Sequence, residues 1–318
     1  MPMMPDSTDV VFGATGGVCG AVVAELLRRG GRVRAVSRRG HAPEGAEGVA
    51  ADAADPAEAA AVAEGAGVAY HCVSPVYTRW PELLPPVSRS ILGAAESGGA
   101  KLVFADNLYA YGPVDGPLRE EMPSAASGHK GRTRVEVAAE MLAAHQRGLV
   151  RVTIGRASDY YGPGGANSNA GETVFGRVVA GKRPLWTGKL DVPHTFHYLP
   201  DIARGLVTLA ERPEADGEVW HLPAAEPLTA QEFFDLVFEC RGTADPGEGP
   251  NHGPGGARRR RHLFADAPGA ARDRLPVPAT VRHRLVEVRG CFRSARADTP
   301  SRGGGAHRRV VPLPLTAG

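Results

Sequence analysis

The sequence predicts an α/β protein: a doubly wound, Rossmann-like parallel sheet, a small substrate region and an irregular C-terminal tail. Three observations lead there. A short apolar strand from Asp9 to Phe12 runs through the glycine turn Gly13-Ala14-Thr15-Gly16-Gly17 into an amphipathic helix that reaches Gly30. A second apolar strand, within residues 31–39, follows that helix at once and completes a βαβ unit. Single strands then alternate with single helices from about residue 8 to 223.

The turn has the outline of a dinucleotide site. Gly13 permits a tight exit from the strand, and Gly16 lets the backbone approach phosphates because it has no Cβ. The free N–H groups and positive end of the following helix suit a pyrophosphate, so Gly13, Thr15, Gly16, Gly17 and Val18 are the expected cofactor contacts. The pattern departs from Gly-x-x-Gly-x-x-Gly at its third position, where Cys19 stands and Gly20 follows one step late. A plain strand-turn-helix is the alternative reading.

At the end of the second strand an NAD site places an acidic residue for the ribose 2′-hydroxyl, but this chain has Ser37, Arg38 and Arg39. Two guanidiniums suit a 2′-phosphate, which favours NADP over NAD, with NAD still open. Two solvated arginines in a turn are the other reading. Residues 49–52 read as a third strand that carries Asp52 to the adenine edge. The fourth strand spans 67–73 and ends at Ser74-Pro75, with His71 read as a strand residue. Helices are expected at about 85–97, 131–146 and 170–180.

The segments 101–113, 152–164 and 197–204, taken with the glycine turn, resemble the extended and atypical short-chain dehydrogenase/reductases, the NAD(P)-dependent epimerase/dehydratase family. The resemblance covers roughly residues 8 to 240. It implies a dinucleotide-binding domain over 8–165, with a strand and helix returning at 190–223, and substrate-region segments over 166–240. It also implies an oxidoreductase or epimerase/dehydratase-like enzyme acting on a hydroxyl or carbonyl group of a small molecule or sugar nucleotide.

The catalytic positions depart from that family. Its Ser or Thr after the fifth strand aligns with Asp106 and Asn107, and its Tyr-x-x-x-Lys pair aligns with Lys130 and Arg134. Three readings follow. Tyr109, Tyr111 or a Lys130 of lowered pKa takes over proton transfer, with Asn107 and Arg134 beside them. Alternatively the chain binds its nucleotide without turnover, as a regulator or scaffold. In the third reading Asp106, Asn107 and Tyr109 only satisfy backbone groups of a turn.

Tyr160, Tyr161, His194, Phe196, His197 and Tyr198 are expected to border a substrate pocket, and the glycine-rich run 162–167 to form a mobile lid over it. Lys182, Arg183 and Lys189 are available for a diphosphate. No metal site is expected, because His194 and His197 lack a third ligand at a recognisable spacing.

The 318 residues are 42% hydrophobic and 23% charged, the ordinary range for a globular enzyme. No apolar run reaches membrane-spanning length and the N-terminus has no secretory pattern, so a cytoplasmic enzyme without membrane partners is expected, with a homodimer left open. The four cysteines follow no pairing pattern and are expected to be reduced thiols.

Residues 241–318 break the pattern. They hold 15 Arg, no Lys and six acidic residues, a net +9 against −7 for the rest of the chain, and Gly and Pro supply 21 of the 78 positions. Such a composition resists packing. It lacks the interleaved aromatics of a nucleic-acid binder, so no nucleic-acid partner is expected. Two readings stand for it, a disordered basic tail or the product of a frameshift near residue 241.

Overall fold

Hydrophobic periodicity and glycine placement produce the following elements in a computed structural model that describes residues 7–241. In chain order they are β1 (Thr8–Phe12), α1 (Gly17–Arg28), β2 (Arg32–Ser37), β3 (Glu47–Ala50), α2 (Pro56–Ala63), β4 (Ala66–His71), α3 (Trp80–Gly98), β5 (Lys101–Asn107) and α4 (His129–Gln146). Then come β6 (Val152–Ala157), β7 (Tyr160–Tyr161), α5 (Arg177–Val179), β8 (Pro193–His194), β9 (His197–Tyr198), α6 (Leu199–Glu211), β10 (Val219–His221), β11 (Leu228–Thr229) and α7 (Ala230–Arg241). The expectation of a disordered or frameshifted tail covers 241–318; apart from Arg241, the last residue of α7, it lies outside the described residues.

Seven strands form one sheet in the order β10-β6-β5-β4-β1-β2-β3, with every neighbouring pair parallel. Parallel strands buried on both faces need apolar side chains on both faces, and β1 shows this with Val10, Val11 and Phe12 fully buried. Helices α2, α3 and α4 cover one face through Val62, Leu84, Ile91, Val137 and Met141. Helices α1 and α6 cover the other through Val22, Leu26, Ile202 and Leu206. The chain leaves β1 towards β2 and later returns to β4 on the other side of β1. The switch point of the sheet therefore lies between β1 and β4, where this fold class opens its ligand crevice.

Three local features differ from expectation. Helix α3 begins at Trp80 rather than near Pro85, because Pro81 fits the first turn, where no N–H is needed. The Trp80 indole Nε1–H also donates to the Pro75 carbonyl at 3.0 Å, which anchors that start. No helix separates β2 from β3: a loop through Gly40, at φ +66°, joins them. Around 170–180 the backbone takes one π-type turn, Gly171–Gly176, before the short α5. A Cβ on Gly171 would lie 2.2 Å from the Gly165 carbonyl oxygen, so that turn closes only on glycine.

The substrate region has its own core. Phe196 and Phe233 stack with ring centres 4.1 Å apart, and Tyr161, Tyr198, Phe234 and Val237 are buried around them. Lys101, buried at the start of β5, ties the N-terminal end of that strand to the end of α6. Its ammonium donates to the carbonyls of Leu209 and Arg212 and pairs with Asp216 at 2.6 Å.

Candidate active site

The glycine turn sits at the C-terminal end of β1. The N–H groups of Gly13 and Ala14 both donate to Val36 O, at 2.9 and 3.0 Å, which pins the turn to the neighbouring strand. Gly13 has φ +89°, and a Cβ there would lie 3.1 Å from Cys19 Sγ and 3.2 Å from Val73, so the turn needs glycine. Gly16 is the N-cap of α1; no side chain caps that end and its first turn holds no acidic residue. The free N–H groups and positive dipole end stay available to an anion. Thr15 is exposed, while Gly17 and Val18 are half-buried beside it.

Cys19 occupies the third glycine position without blocking the turn. Its thiol points inward and donates to the Cys72 carbonyl at 3.1 Å, below Gly13 and Gly16. Gly20 is not needed in its place, since a Cβ there would meet only Ala14 O at an ordinary 3.6 Å. At the end of β2 the Ser37 hydroxyl donates to His41 O, whereas Arg38 and Arg39 are exposed and form no ion pair among the described residues. Asp52 is exposed just past β3, where its carboxylate accepts from Ala54 N–H.

Beyond the switch point, the ends of β4 and β5 carry a cluster of rings and cations. The side chain of Asn107 accepts from Tyr109 N–H at 3.1 Å and so caps the short 3-10 turn Leu108–Tyr111. That turn presents Tyr109, which is 44% exposed, with its hydroxyl 3.2 Å from that of Tyr77. Burial, followed by the hydrogen bond to Tyr77, holds the Tyr109 phenol well above its ordinary pKa. Lys130, at the start of α4, places its ammonium 3.7 Å from the centre of the Tyr77 ring. Trp80 completes the group, with ring centres 5.1 Å from Tyr77 and 6.0 Å from Tyr109.

Arg134, one turn further along α4, is buried and stacks on Trp80 at 4.2 Å. Its Nη1 donates to Asp106 Oδ1 at 3.4 Å, and Arg156 Nε donates to the other oxygen of the same carboxylate at 3.0 Å. Tyr111 does not join this group. Its ring is fully buried and its hydroxyl lies 2.8 Å from His221 Nε2, so it serves the interior rather than the cleft. His71 is likewise internal, paired with Ser88 Oγ at 2.8 Å, and burial lowers its pKa to about 3.

The exit of β6 adds polar groups. His194 Nε2 lies 3.0 Å from Asp159 Oδ2 and 3.1 Å from Ser158 Oγ. Burial first, then the neighbouring Cys19 and the charge of Asp159, raise the pKa of the half-buried Tyr160. Four of the expected pocket residues lie elsewhere: Tyr161, Phe196 and Tyr198 fill the core against α7, because large rings gain most from full burial. His197 is buried too, with Nδ1 accepting from Ser158 N–H and Nε2–H donating to Leu222 O; burial lowers its pKa to about 4. The glycine-rich run packs down instead of standing free. A Cβ on Gly17 would lie 2.8 Å from Gly164 O, which closes this loop on the start of α1. Lys182, Arg183 and Lys189 are exposed.

The structure thus brings Tyr109, Asn107, Lys130 and Arg134 to one edge and leaves Tyr111 behind it. Tyr77, Trp80, Arg156 and Asp159 are the members that sequence reasoning missed. The Ser74-Pro75 exit of β4 marked the place for the first two, three and six residues before them. Among the described residues no group of three or more His, Cys, Asp or Glu is arranged to hold a metal ion, and no helix is long and apolar enough to cross a membrane.

The profile of the NAD dependent epimerase/dehydratase family matches residues 10–222. The chain belongs to this family. No curated protein sequence matches it. Among solved structures, this epimerase/dehydratase family member resembles a UDP-N-acetylglucosamine 4-epimerase from Methanobrevibacter ruminantium in complex with UDP-N-acetylmuramic acid, at 15% identity and a TM-score of 0.72, covering 92% of this chain and all of that one. It also resembles a UDP-glucose 4-epimerase from Thermotoga maritima with UDP-glucose, at 17% identity and a TM-score of 0.69, covering 91% of this chain and 99% of that one. A third is a dTDP-glucose 4,6-dehydratase double mutant from Streptomyces venezuelae with NAD bound, at 18% identity and a TM-score of 0.64, covering 74% and 81%. At these identities the likeness is one of fold.

Proposed function

We propose that this epimerase/dehydratase family member is an enzyme that acts on a hydroxyl or carbonyl group of a small molecule or sugar nucleotide, and that it prefers NADP(H) to NAD(H). The observation that carries the reading is the Tyr77–Tyr109 phenol pair at the C-terminal edge of the sheet, beside the switch point that the glycine turn opens. The cradle of Gly13 and Gly16 and the uncapped start of α1 fit a dinucleotide, with Gly17, Val18 and Thr15 around the pyrophosphate and Asp52 toward the adenine. Arg38 and Arg39, exposed where an NAD site would hold a carboxylate, support the preference for a 2′-phosphate.

A bound nicotinamide supplies a hydride acceptor or donor; the residues of this chain manage the proton and the orientation. A phenol held above its ordinary pKa is protonated at neutral pH, so Tyr109 acts as a hydrogen-bond and proton donor toward a substrate oxygen. Tyr77 fixes that hydroxyl, Asn107 fixes the backbone that bears it, and Lys130 adds positive charge over Tyr77. Fluorescence titration with NADPH and NADH tests the cofactor reading without needing a substrate, and equal affinities would overturn the preference. NADPH consumption against ketones and sugar nucleotides tests the chemistry.

A second reading, nucleotide binding without turnover, draws support from one observation. The positions of the family's Tyr-x-x-x-Lys pair hold Lys130, seated on an aromatic ring, and Arg134, bonded to Asp106. NADPH binding with no turnover across the whole panel would favour it.

A further inference from the structure

The charges beneath Tyr109 do not balance. Two guanidiniums, Arg134 and Arg156, share the single carboxylate of Asp106, and all three residues are buried. Arg156 is well held at 3.0 Å, whereas Arg134 makes one long bond of 3.4 Å. A guanidinium has five N–H donors, and the Nε of Arg134 is buried with no hydrogen-bond partner among the described residues. The side chain is only 5% exposed. Burying such a group this poorly satisfied is costly unless an anion completes it. Among the described residues the neighbouring elements do not supply one: α3 contributes the Trp80 face and β5 the Phe104 ring, and the facing hydroxyls belong to Tyr109 and Tyr160. The nearby carboxylate of Asp159 is engaged by His194.

We propose that Arg134 is an anion-binding residue that receives the carboxylate of the substrate, and that the substrate is a small hydroxy- or keto-acid with an apolar body. The proposal rests on the reading of this edge as the substrate site. The apolar part follows from the surroundings. Tyr77, Trp80 and Tyr109 form three mutually contacting rings, and Val76, Tyr77 and Tyr109 are 67%, 48% and 44% exposed at the same strand ends. Apolar side chains so exposed beside a buried cation suit a ligand that is charged at one end and apolar at the other.

Benzoate and benzamide, equal in shape and different in charge, probe the site in the full chain by calorimetric titration. The expected result is benzoate binding at least tenfold tighter than benzamide, the factor that one charge-assisted hydrogen bond of ordinary strength supplies. In R134M the two ligands should bind alike, and R134K, which keeps the charge without the fork, should retain part of the preference. Equal affinity of the parent protein for the two probes, or binding of neither, overturns the proposal without any variant. A benzoate preference unchanged in R134M overturns it as well. Repeating the titration at saturating NADPH separates two sources of the anion: persistence supports a substrate carboxylate, and loss of the preference assigns the anion to the dinucleotide and overturns the proposal. NADPH binding without a benzoate preference sinks the carboxylate site alone, whereas a benzoate preference without NADPH binding sinks the dinucleotide reading alone.

Discussion

The phenol oxygens of Tyr77 and Tyr109 lie 3.2 Å apart although 32 positions separate the two residues in the chain. Parallel strands place the exits of β4 and β5 side by side, so a residue following each strand can meet its counterpart across the gap. Lys130 and Trp80 crowd the same pair. The family's usual Tyr-x-x-x-Lys pair is absent, and this phenol pair stands in its neighbourhood.

Tyr109→Phe should lower turnover by about 10² to 10⁴-fold and leave NADPH affinity nearly intact, the range that general acid-base catalysis usually contributes. Tyr77→Phe keeps the ring and removes one cause of the raised Tyr109 pKa, so phenol ionisation followed by ultraviolet absorbance should begin at lower pH. Full turnover in the Tyr109 variant would remove that residue from the mechanism.

Arg38→Asp should reverse or abolish the preference for NADPH. It deletes one charge-assisted contact, about 1.5–3 kcal/mol or roughly 10- to 100-fold in affinity, and adds repulsion. Comparative NADPH and NADH titrations of parent and variant check this, and an unchanged ratio would leave Arg38 a solvated surface residue.

Asp9 is buried on β1, its Oδ1 without a hydrogen-bond partner among the described residues, and burial raises its pKa from 3.8 to about 7. A carboxyl whose folded pKa is raised stabilises the fold while protonated. That stability is fully present below about pH 4 and is lost as pH rises through about 7. The loss is on the order of a few kcal/mol. Asp9→Asn should therefore flatten the fall in stability between these limits and melt higher than the parent protein at pH 8. Parallel slopes in denaturant titrations of the two proteins would contradict this.

Gly17→Ala should destabilise the fold by about 1–3 kcal/mol, because its Cβ would meet a backbone oxygen, Gly164 O at 2.8 Å, which cannot rotate away. Affinity for NADPH should fall with it. Gly20→Ala is the control: its Cβ finds only an ordinary contact, and alanine is favoured over glycine inside a helix by up to about 1 kcal/mol. Thermal melts of both variants decide the matter, and equal losses would mean that the closure of the 162–165 loop on α1 contributes nothing.

The sequence by itself determined the strands, the glycine turn and the doubly wound class, because each is a local matter: apolar runs, a φ that only glycine tolerates at Gly13, a helix beginning where its N–H groups stay free. Half of the candidate edge was legible as well, since the family resemblance implies places for Asn107, Lys130 and Arg134, and Tyr109 carries the same phenol as the missing tyrosine. Tertiary structure decided the rest. It turned Tyr111 inward onto His221, sank Tyr161, Phe196 and Tyr198 into a core with Phe233, and brought Tyr77, Trp80, Arg156 and Asp159 to the cleft. Nothing local distinguishes Tyr109 from Tyr111, two residues apart on one short turn. Which phenol faces the cleft depends on side chains that arrive from β4 and β10, and those meet only when the sheet is assembled.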